Sequence, residues 1–420
     1  MGIDLGLARV LRLLVHLGNP HMKGYKSIHI AGTNGKGSTV AYLSLVFTSN
    51  KVKNGRFTSP HMLYYNDCVA INNQAYPIAK FERAIETVRK HNEVLRLGCT
   101  EFEILTVTAF KIFADEQVQV AIVEVGLGGR LDATNVLEPF NIITKGGLIA
   151  TGISKIAMDH ESFLGSTLAR IASEKAGIIK HKVPCTVDGT NEPEVLKVIE
   201  EKCTKEDAPL TTIRVQRAPD VEEILNYSPL QGEYQYYNLS VALSILSSIR
   251  HHYQFTKEQI IEGIRGTKWP GRLQSFQSPA KHIPILLDGA HNESAALELG
   301  KFLSNTYRKQ HPDGLRFVIA LTQGKDADGL LKHIIDPSKD HVFVTQFTAP
   351  IEMPWIKPLD PQYLAQAVEK YTTAVTVIKG PIESVIATLE NQDELLKTPI
   401  VICGSLYLCG DVLRLYQPRD

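Results

Sequence analysis

Apolar and polar positions along this chain follow two rhythms, and each change of rhythm marks an element. The run Ile28-His29-Ile30-Ala31 is short, apolar and cut off at once by glycine, the form of a strand covered on both faces. Behind it, Val40, Leu43, Leu45, Val46 and Phe47 predict an apolar helix. Residues 118–125 form a longer apolar run that ends at Glu124, Gly126 and the Gly128-Gly129 pair. That is the form of a central parallel strand with functional groups at its carboxyl end. Residues 7–17, 102–113 and 168–179 have helical spacing. Residues 1–270 thus read as alternating strands and helices, and the more polar stretch 191–230 as a peripheral insertion or connection.

Around 269–284 the pattern changes: Pro270, Gly271, Pro279 and Pro284 punctuate a polar segment, read as a linker or domain edge. Five short β-rich runs follow at 285–287, 317–321, 341–345, 374–378 and 400–403, separated by helical stretches. They predict a second, smaller doubly wound α/β domain. A chain of 420 residues exceeds what one core usually supports, and the expected division is 1–275 and 283–420.

Composition narrows the class. Apolar content of 44% and charged content of 21% are those of an ordinary globular protein. Lys plus Arg equals Asp plus Glu at 45 each, so no global field favours nucleic acid or an anionic membrane. Six scattered cysteines without a CxxC pair exclude a zinc ribbon or disulfide framework and predict small core residues in a reducing compartment. No apolar run approaches the roughly eighteen residues of a membrane span. The start, Met1-Gly2-Ile3-Asp4-Leu5-Gly6, has no basic n-region. Arg9 and Arg12 in the first helix faintly echo a transit peptide, but a packed helix is the simpler reading. The expected location is the cytoplasm, with the mitochondrion left open, and the expected state a monomer.

The chemistry concentrates at Gly32-Thr33-Asn34-Gly35-Lys36-Gly37-Ser38-Thr39. A strand that breaks into glycines and opens a helix leaves backbone N–H groups and a positive helix end to meet phosphate. Lys36 adds a mobile positive charge, and Ser38 or Thr39 a hydroxyl for a metal. The spacing is not the standard GxxxxGK[ST]. Glu124 is a poor core residue unless it is paired, with Arg130 for instance, or bound to a cation. Taken alone, His160 beside Asp159 is a surface or capping residue, Ser59 before Pro60 a turn, and Lys175 half of a Glu174–Lys175 surface pair.

Order changes those readings. The phosphate loop is followed by Thr58-Ser59-Pro60-His61, then Glu124-Val125-Gly126-Leu127-Gly128-Gly129-Arg130-Leu131-Asp132-Ala133-Thr134-Asn135, Met158-Asp159-His160 and Glu174-Lys175-Ala176-Gly177-Ile178. Trp269-Pro270-Gly271-Arg272 and Asp288-Gly289-Ala290-His291-Asn292 complete the series. Together they resemble the folylpolyglutamate synthase and dihydrofolate synthase family of the Mur ligase superfamily, most closely its fungal dihydrofolate synthases. The resemblance runs from residue 3 to about residue 410.

The resemblance implies an N-terminal P-loop doubly wound domain of the Mur ligase central type and a smaller C-terminal Rossmann-like α/β domain that closes over the cleft and binds glutamate. It implies ATP at Thr33, Asn34, Gly35, Lys36, Gly37, Ser38, Asn238 (against adenine), Arg272 and Asp288. It places Mg2+, two ions, at Ser59, Glu124 and His160, and leaves a monovalent cation open. Lys175 becomes a carbamate, which requires a neutral amine; it stands fifteen residues after His160, as the family pattern requires. Ile3, Asp4, Leu5 and Gly6, with Thr100, Glu101 and Phe102, look like pteroate-binding segments. Asp4 or Glu101 would accept from the pterin edge and Phe102 would stack on it. As plain sequence these are a helix N-cap and a loop before a helix. His291 and Ser405 are candidates on the glutamate side. Three extra residues lengthen the span between Arg272 and Asp288 relative to the family pattern.

The implied reaction is ATP-dependent ligation of L-glutamate to 7,8-dihydropteroate through an acyl phosphate. Polyglutamylation of tetrahydrofolate, alone or in addition, is the nearest alternative. A metal-dependent hydrolase has no need of the phosphate loop, and a non-catalytic nucleotide switch no need of Glu124, His160 and Lys175. Small molecules are the expected partners, with neither nucleic acid nor membrane.

Overall fold

The computed structural model describes residues 4–278, 281–391 and 398–416. Met1, Gly2, Ile3 and Pro279, which entered the sequence argument, lie outside the described residues. The chain divides into two compact units: Met1–Pro229 with Tyr234–Lys268, and Leu230–Glu233 with Trp269–Asp420. Trp269-Pro270-Gly271-Arg272 therefore belongs to unit 2, whereas the sequence grouped it with residues 1–275.

The strands of unit 1 are β1 (Lys26–Ala31), β2 (Asn54–Phe57), β3 (Val69–Ile71), β4 (Gln74–Ala75), β5 (Val120–Glu124), β6 (Gly147–Ile153), β7 (Cys185–Val187) and β8 (Leu210–Thr212). Among the described residues they form one sheet in the order β4-β3-β2-β5-β1-β6-β7-β8. Only β3 runs against the direction of the other strands, pairing antiparallel with β2 and with β4. β5 and β6 are buried along their whole length, which is why β5 reads as a continuous apolar run.

Register decides where chemistry can gather. Ile30 of β1 stands opposite Glu124 of β5 on one side and Gly152 of β6 on the other. Phe57 of β2 stands opposite Val123. The chain leaves β1 toward β2 and later crosses from β5 to β6 on the far side of β1. That divergence is a topological switch point, where a crevice opens at the carboxyl ends of the strands. The four ends that meet there carry Gly32, Thr58-Ser59, Glu124 and Ser154.

The helices are α1 (Ala8–His16), α2 (Lys36–Ser49), α3 (Ile78–Val94), α4 (Glu101–Asp115), α5 (Glu161–Leu164), α6 (Leu168–Ala176), α7 (Pro193–Lys205), α8 (Pro219–Leu225), α9 (Gln235–Ser248) and α10 (Lys257–Arg265). α2 packs against α9 and α10, so Val40, Ala41, Tyr42, Leu43, Val46 and Phe47 are all buried and the helix is apolar around its circumference. One core joins Leu13 and Leu14 of α1 to Ile85 of α3, Phe110 of α4 and Val123 of β5. A second joins Ile171 of α6 to Ile199 of α7 and Ile153 of β6.

Two sequence readings change. The polar stretch 191–230 is no appendage: it contributes α7, β8 and α8, and β8 extends the sheet by pairing with β7. Its polarity follows from its edge position, where Thr211 and Thr212 are exposed. In unit 2, the supposed linker 269–284 contains a strand, β9 (Gln274–Gln277), antiparallel to β10 (Pro284–Leu287). With β11 (Arg316–Ile319), β12 (His341–Val344), β13 (Val375–Val377) and β14 (Ile400–Cys403) it forms the sheet β13-β12-β11-β14-β10-β9. The other five strands are the five apolar runs. All six cysteines are buried thiols.

Candidate active site

The phosphate loop is held from two sides. Thr33 N–H and Asn34 N–H both donate to the Lys155 carbonyl (2.8 and 3.1 Å), so the loop's first two amides face the segment after β6. The amides left for an anion begin at Gly35, the N-cap of α2, whose φ of +90° only glycine adopts readily and which no side chain caps. From behind, α9 supports the same turn. Asn238 Oδ1 fills the space a Cβ on Gly35 would take, Asn238 Nδ2 donates to Gln235 Oε1 (3.1 Å), and Gln235 Nε2 donates to Ser38 Oγ (3.3 Å). The structure thus places Asn238, expected against adenine, with its amide behind the loop.

Lys36 folds across the opening, its Nζ donating to Thr33 O (3.2 Å) and lying 3.7 Å from Glu124 Oε1. Glu124 is buried at the end of β5. Arg130, offered by sequence as its ordinary partner, turns instead to Glu174 (Nη2–Oε1 2.9 Å), so that reading is corrected too. Ser59 follows β2 in the half-buried turn after Thr58. His160 is the N-cap of α5 at φ +53°, its side chain 45% exposed with Nε2 3.9 Å from Asp159 Oδ1.

Lys175 is no surface residue. It is 5% exposed and donates from Nζ to the Gly32 carbonyl (2.8 Å), directly under the phosphate loop. Burial, seconded by the charge of Lys36, lowers its pKa to about 7, with Asp159 and Asp132 opposing. Helical spacing explains the placement: Ile171, Ala172, Lys175 and Ala176 form the buried face of α6, while Glu174 points to Arg130. Two glycines let the loop after β5 reach this helix end. A Cβ on Gly129 would meet Glu174 O at 2.7 Å, and a Cβ on Gly177 would meet the backbone and Cβ of Arg130. Asp132 shapes that loop from inside, accepting from Leu127 N (2.8 Å), Thr134 N (3.0 Å) and the Thr134 hydroxyl.

Thr100 is the N-cap of α4 in a capping box with Glu103: Glu103 N donates to Thr100 Oγ1, and Thr100 N to Glu103 Oε2 (2.7 Å). Glu101 and Phe102 are therefore the first turn of α4, correcting their reading as loop. Glu101 Oε1 accepts from Tyr65 OH (2.8 Å) and Arg89 Nη2 (2.6 Å). The Phe102 ring covers Gly126 and stands 6.0 Å, centroid to centroid, from Phe57. Asp4 is exposed and paired with Arg9, while Leu5 and Gly6 are half-buried. Ile3 lies outside the described residues.

Unit 2 gathers its own set at the carboxyl ends of β10 and β14. Asp288 is buried and accepts from Leu273 N and Ala290 N (2.9 Å each). Burial pushes its pKa up, against the pull of Arg272. Arg272 Nη1 donates to Gly271 O (2.9 Å), and His291 Nδ1 lies 2.9 Å from Gly289 O. Ser405 is buried at the start of the helix Leu406–Tyr416 and accepts from Tyr407 N (3.1 Å).

The donor set suits a hard cation. Among the described residues no three His, Cys, Asp or Glu side chains form a ready metal cage. Ser59 and Glu124 offer oxygen donors of the kind a hard divalent cation takes, and such an ion completes a short set of protein ligands with water and phosphate. Sequence reasoning missed four supporting residues: Arg9, Ser154, Asn191 and Gln235. Gln235 was within reach, since it stands one turn before Asn238. So was the Thr100-x-x-Glu103 box.

Over residues 272–415 the chain matches the family described as the C-terminal domain of dihydrofolate synthetase. It is 41% identical to the dihydrofolate synthetase of Saccharomyces cerevisiae, covering 99% of both chains. To the probable folylpolyglutamate synthase of the same yeast it is 31% identical, covering 98% of this chain and 97% of that one. Its structure resembles that of Mycobacterium tuberculosis folylpolyglutamate synthase complexed with ADP and AMPPCP, with TM-score 0.83, 28% identity and coverage of 99% and 96%.

Proposed function

The chain belongs to the folylpolyglutamate synthase and dihydrofolate synthase family, and from that premise we propose that it is a dihydrofolate synthase. It joins L-glutamate to 7,8-dihydropteroate with ATP, giving dihydrofolate, ADP and phosphate. The observation that carries the choice within the family is the comparison with two proteins of one yeast. Identity over essentially the full length is 41% with the dihydrofolate synthetase and 31% with the probable folylpolyglutamate synthase.

The chemistry follows from the substrates. A carboxylate is a poor acyl donor, so the pteroate carboxylate attacks the γ-phosphorus of ATP and ADP leaves. The neutral amine of glutamate then attacks the acyl phosphate carbon, phosphate departs with the C–O electron pair, and the nitrogen gives up one proton to leave the neutral amide. The amides from Gly35 to Ser38 and the Lys36 ammonium meet the negative charge of the phosphates. Arg272 and Asp288 are assigned to the nucleotide on the resemblance of their motifs. Ser59, Glu124 and His160 would hold two Mg2+, which neutralise phosphate charge when bound. Lys175 suits the family's carbamate because its amine is buried and its pKa is lowered to about 7. A neutral amine and carbon dioxide give a carbamate and a proton, turning a cation under the loop into an oxygen ligand.

Product analysis tests the proposal. With ATP and glutamate the protein is expected to add one glutamate to dihydropteroate and to extend tetrahydrofolate poorly. Several glutamates added to tetrahydrofolate, with dihydropteroate left untouched, would transfer the chain to the polyglutamate synthases.

A further inference from the structure

Arg9 ties the N-terminal segment to the start of α4, and it does so with three different nitrogens. Nη1 binds Asp4 Oδ2 (2.6 Å) and Nη2 donates to the carbonyl oxygen of the same Asp4 (3.0 Å). Nε reaches Glu103 Oε2 and Oε1 (3.0 and 3.3 Å). Glu103 is 3% exposed and through Oε2 also holds Thr100 N–H (2.7 Å), so its position is set by the cap of α4. One planar guanidinium therefore fixes both the side chain and the backbone of Asp4 against the turn that carries Glu101 and Phe102. Asp4 Oδ1 accepts no bond among the described residues.

We propose that Arg9 is a positioning residue for the pterin substrate: through Oδ2 and the backbone carbonyl it holds Asp4 against the turn that carries Phe102. This rests on the assignment of Asp4 and Phe102 to pteroate made above. The Asp4 contact itself does little to hold the fold, unlike the pair with the buried Glu103. Asp4 is 64% exposed, and pairs so placed contribute ~0–1 kcal/mol to stability. Residues 4–7 lie in no helix or strand, and a ligand that must order such a segment binds more weakly. The fork geometry matters as well as the charge, because the ammonium of lysine cannot serve Asp4 and Glu103 together.

The test compares Arg9→Lys and Arg9→Ala in the full chain by steady-state kinetics on each substrate in turn. Both variants are expected to raise KM for dihydropteroate by about 10–100-fold, the loss of a charged hydrogen bond. KM for ATP and for glutamate should stay within about threefold, with kcat largely retained. Arg9→Lys keeps a cation beside Glu103, so its melting temperature is expected to match that of the parent. Pterin KM within twofold of the parent in both variants overturns the proposal. So does a parallel rise in all three KM values with a lowered melting temperature, which marks a purely structural role. If the parent proves to use tetrahydrofolate, the assignment of dihydropteroate fails, while a selective rise in KM for that pterin still upholds Arg9.

Discussion

Lys36 and Lys175 each donate to a carbonyl of the same glycine turn, Thr33 O and Gly32 O, and the charge of Lys36 adds to burial in lowering the pKa of Lys175. Lys36 lies between Thr33 O and Glu124. Lys36→Ala is expected to keep the fold and to lose about 10²–10³ in kcat, as removal of one transition-state contact usually does. Near-normal turnover would reduce the loop to an ordinary turn. Lys175 is fixed and dry, and its prediction is chemical. Native mass spectrometry in bicarbonate is expected to show one added carbon dioxide on the parent and none on Lys175→Ala. That variant is expected to be inactive and partly restored by a small carboxylic acid. An unmodified Lys175 in the fully active enzyme would sink the carbamate. Lys36 was legible from its motif. The burial of Lys175 was not legible from the pair Glu174–Lys175, because adjacent residues on a helix point about 100° apart, and only the partner of each settles which faces inward. Arg130 shows the same limit: it stands six residues after Glu124 in sequence, yet the glycine contact at Gly129 delivers it to Glu174.

At the scale of elements, the phosphate loop and the segment running to His160 are one hydrogen-bonded body. Ser154 Oγ donates to Asn34 O (2.7 Å), Thr33 Oγ1 donates to Ala157 O (3.1 Å), and Asn34 forms an isolated bridge with Lys155. Asn191, in the turn after β7, supports this body from the far side. Its Oδ1 accepts from Ile156 N (2.7 Å), and its Nδ2 donates to Asp188 O (2.7 Å) and Ser154 O (3.3 Å). Asn191→Ala leaves Ile156 N–H and Ser154 O without the side-chain partner, while Asp188 O keeps the Asn191 N–H (3.3 Å). It is expected to cost about 1–3 kcal/mol, to lower the melting temperature by several degrees, and to raise KM for ATP more than KM for glutamate. Unchanged KM for ATP in a destabilised variant would show that the brace serves stability alone. Asn191 was read as the start of a polar connection, because a buried amide that satisfies backbone groups leaves no periodic trace in sequence. Strand β9 was hidden for a related reason: Gln274-Ser275-Phe276-Gln277 lies at a sheet edge and lacks an apolar run. Among the interior strands, β1, β5, β10, β11, β12 and β14 were legible from their apolar runs, whereas β2, β3, β6 and β7, short or interrupted by residues such as Asn54, Arg56, Thr151 and Thr186, were not.

For the molecule as a whole, buried histidines set the response to acid. His29 lies inside β1 with its Nε2 2.8 Å from Thr134 Oγ1, and burial lowers its pKa to about 3. His21 is buried beside Phe110, and its pKa is lowered to about 4. Both imidazoles stay neutral in the folded protein, whereas in the unfolded chain they titrate near ~6.5. Below that pH the unfolded state binds more protons, so stability is full above about pH 6.5 and falls as pH drops toward 4. Each histidine contributes a slope of up to about 1.4 kcal/mol per pH unit in that window. The buried carboxyls of Asp132, Asp188 and Asp288 act in the opposite sense, because burial raises their pKa and they take up protons while still folded. A bare melting curve against pH therefore mixes two signs, and a single substitution separates them. His29→Gln keeps a side-chain N–H for Thr134 and removes the proton-binding site. Urea unfolding free energies measured from pH 7.5 to 5 are expected to fall more gently in this variant than in the parent, by about one proton's slope. Equal slopes for the two proteins would show that His29 already titrates normally in the folded chain, and that the buried face of β1 admits water.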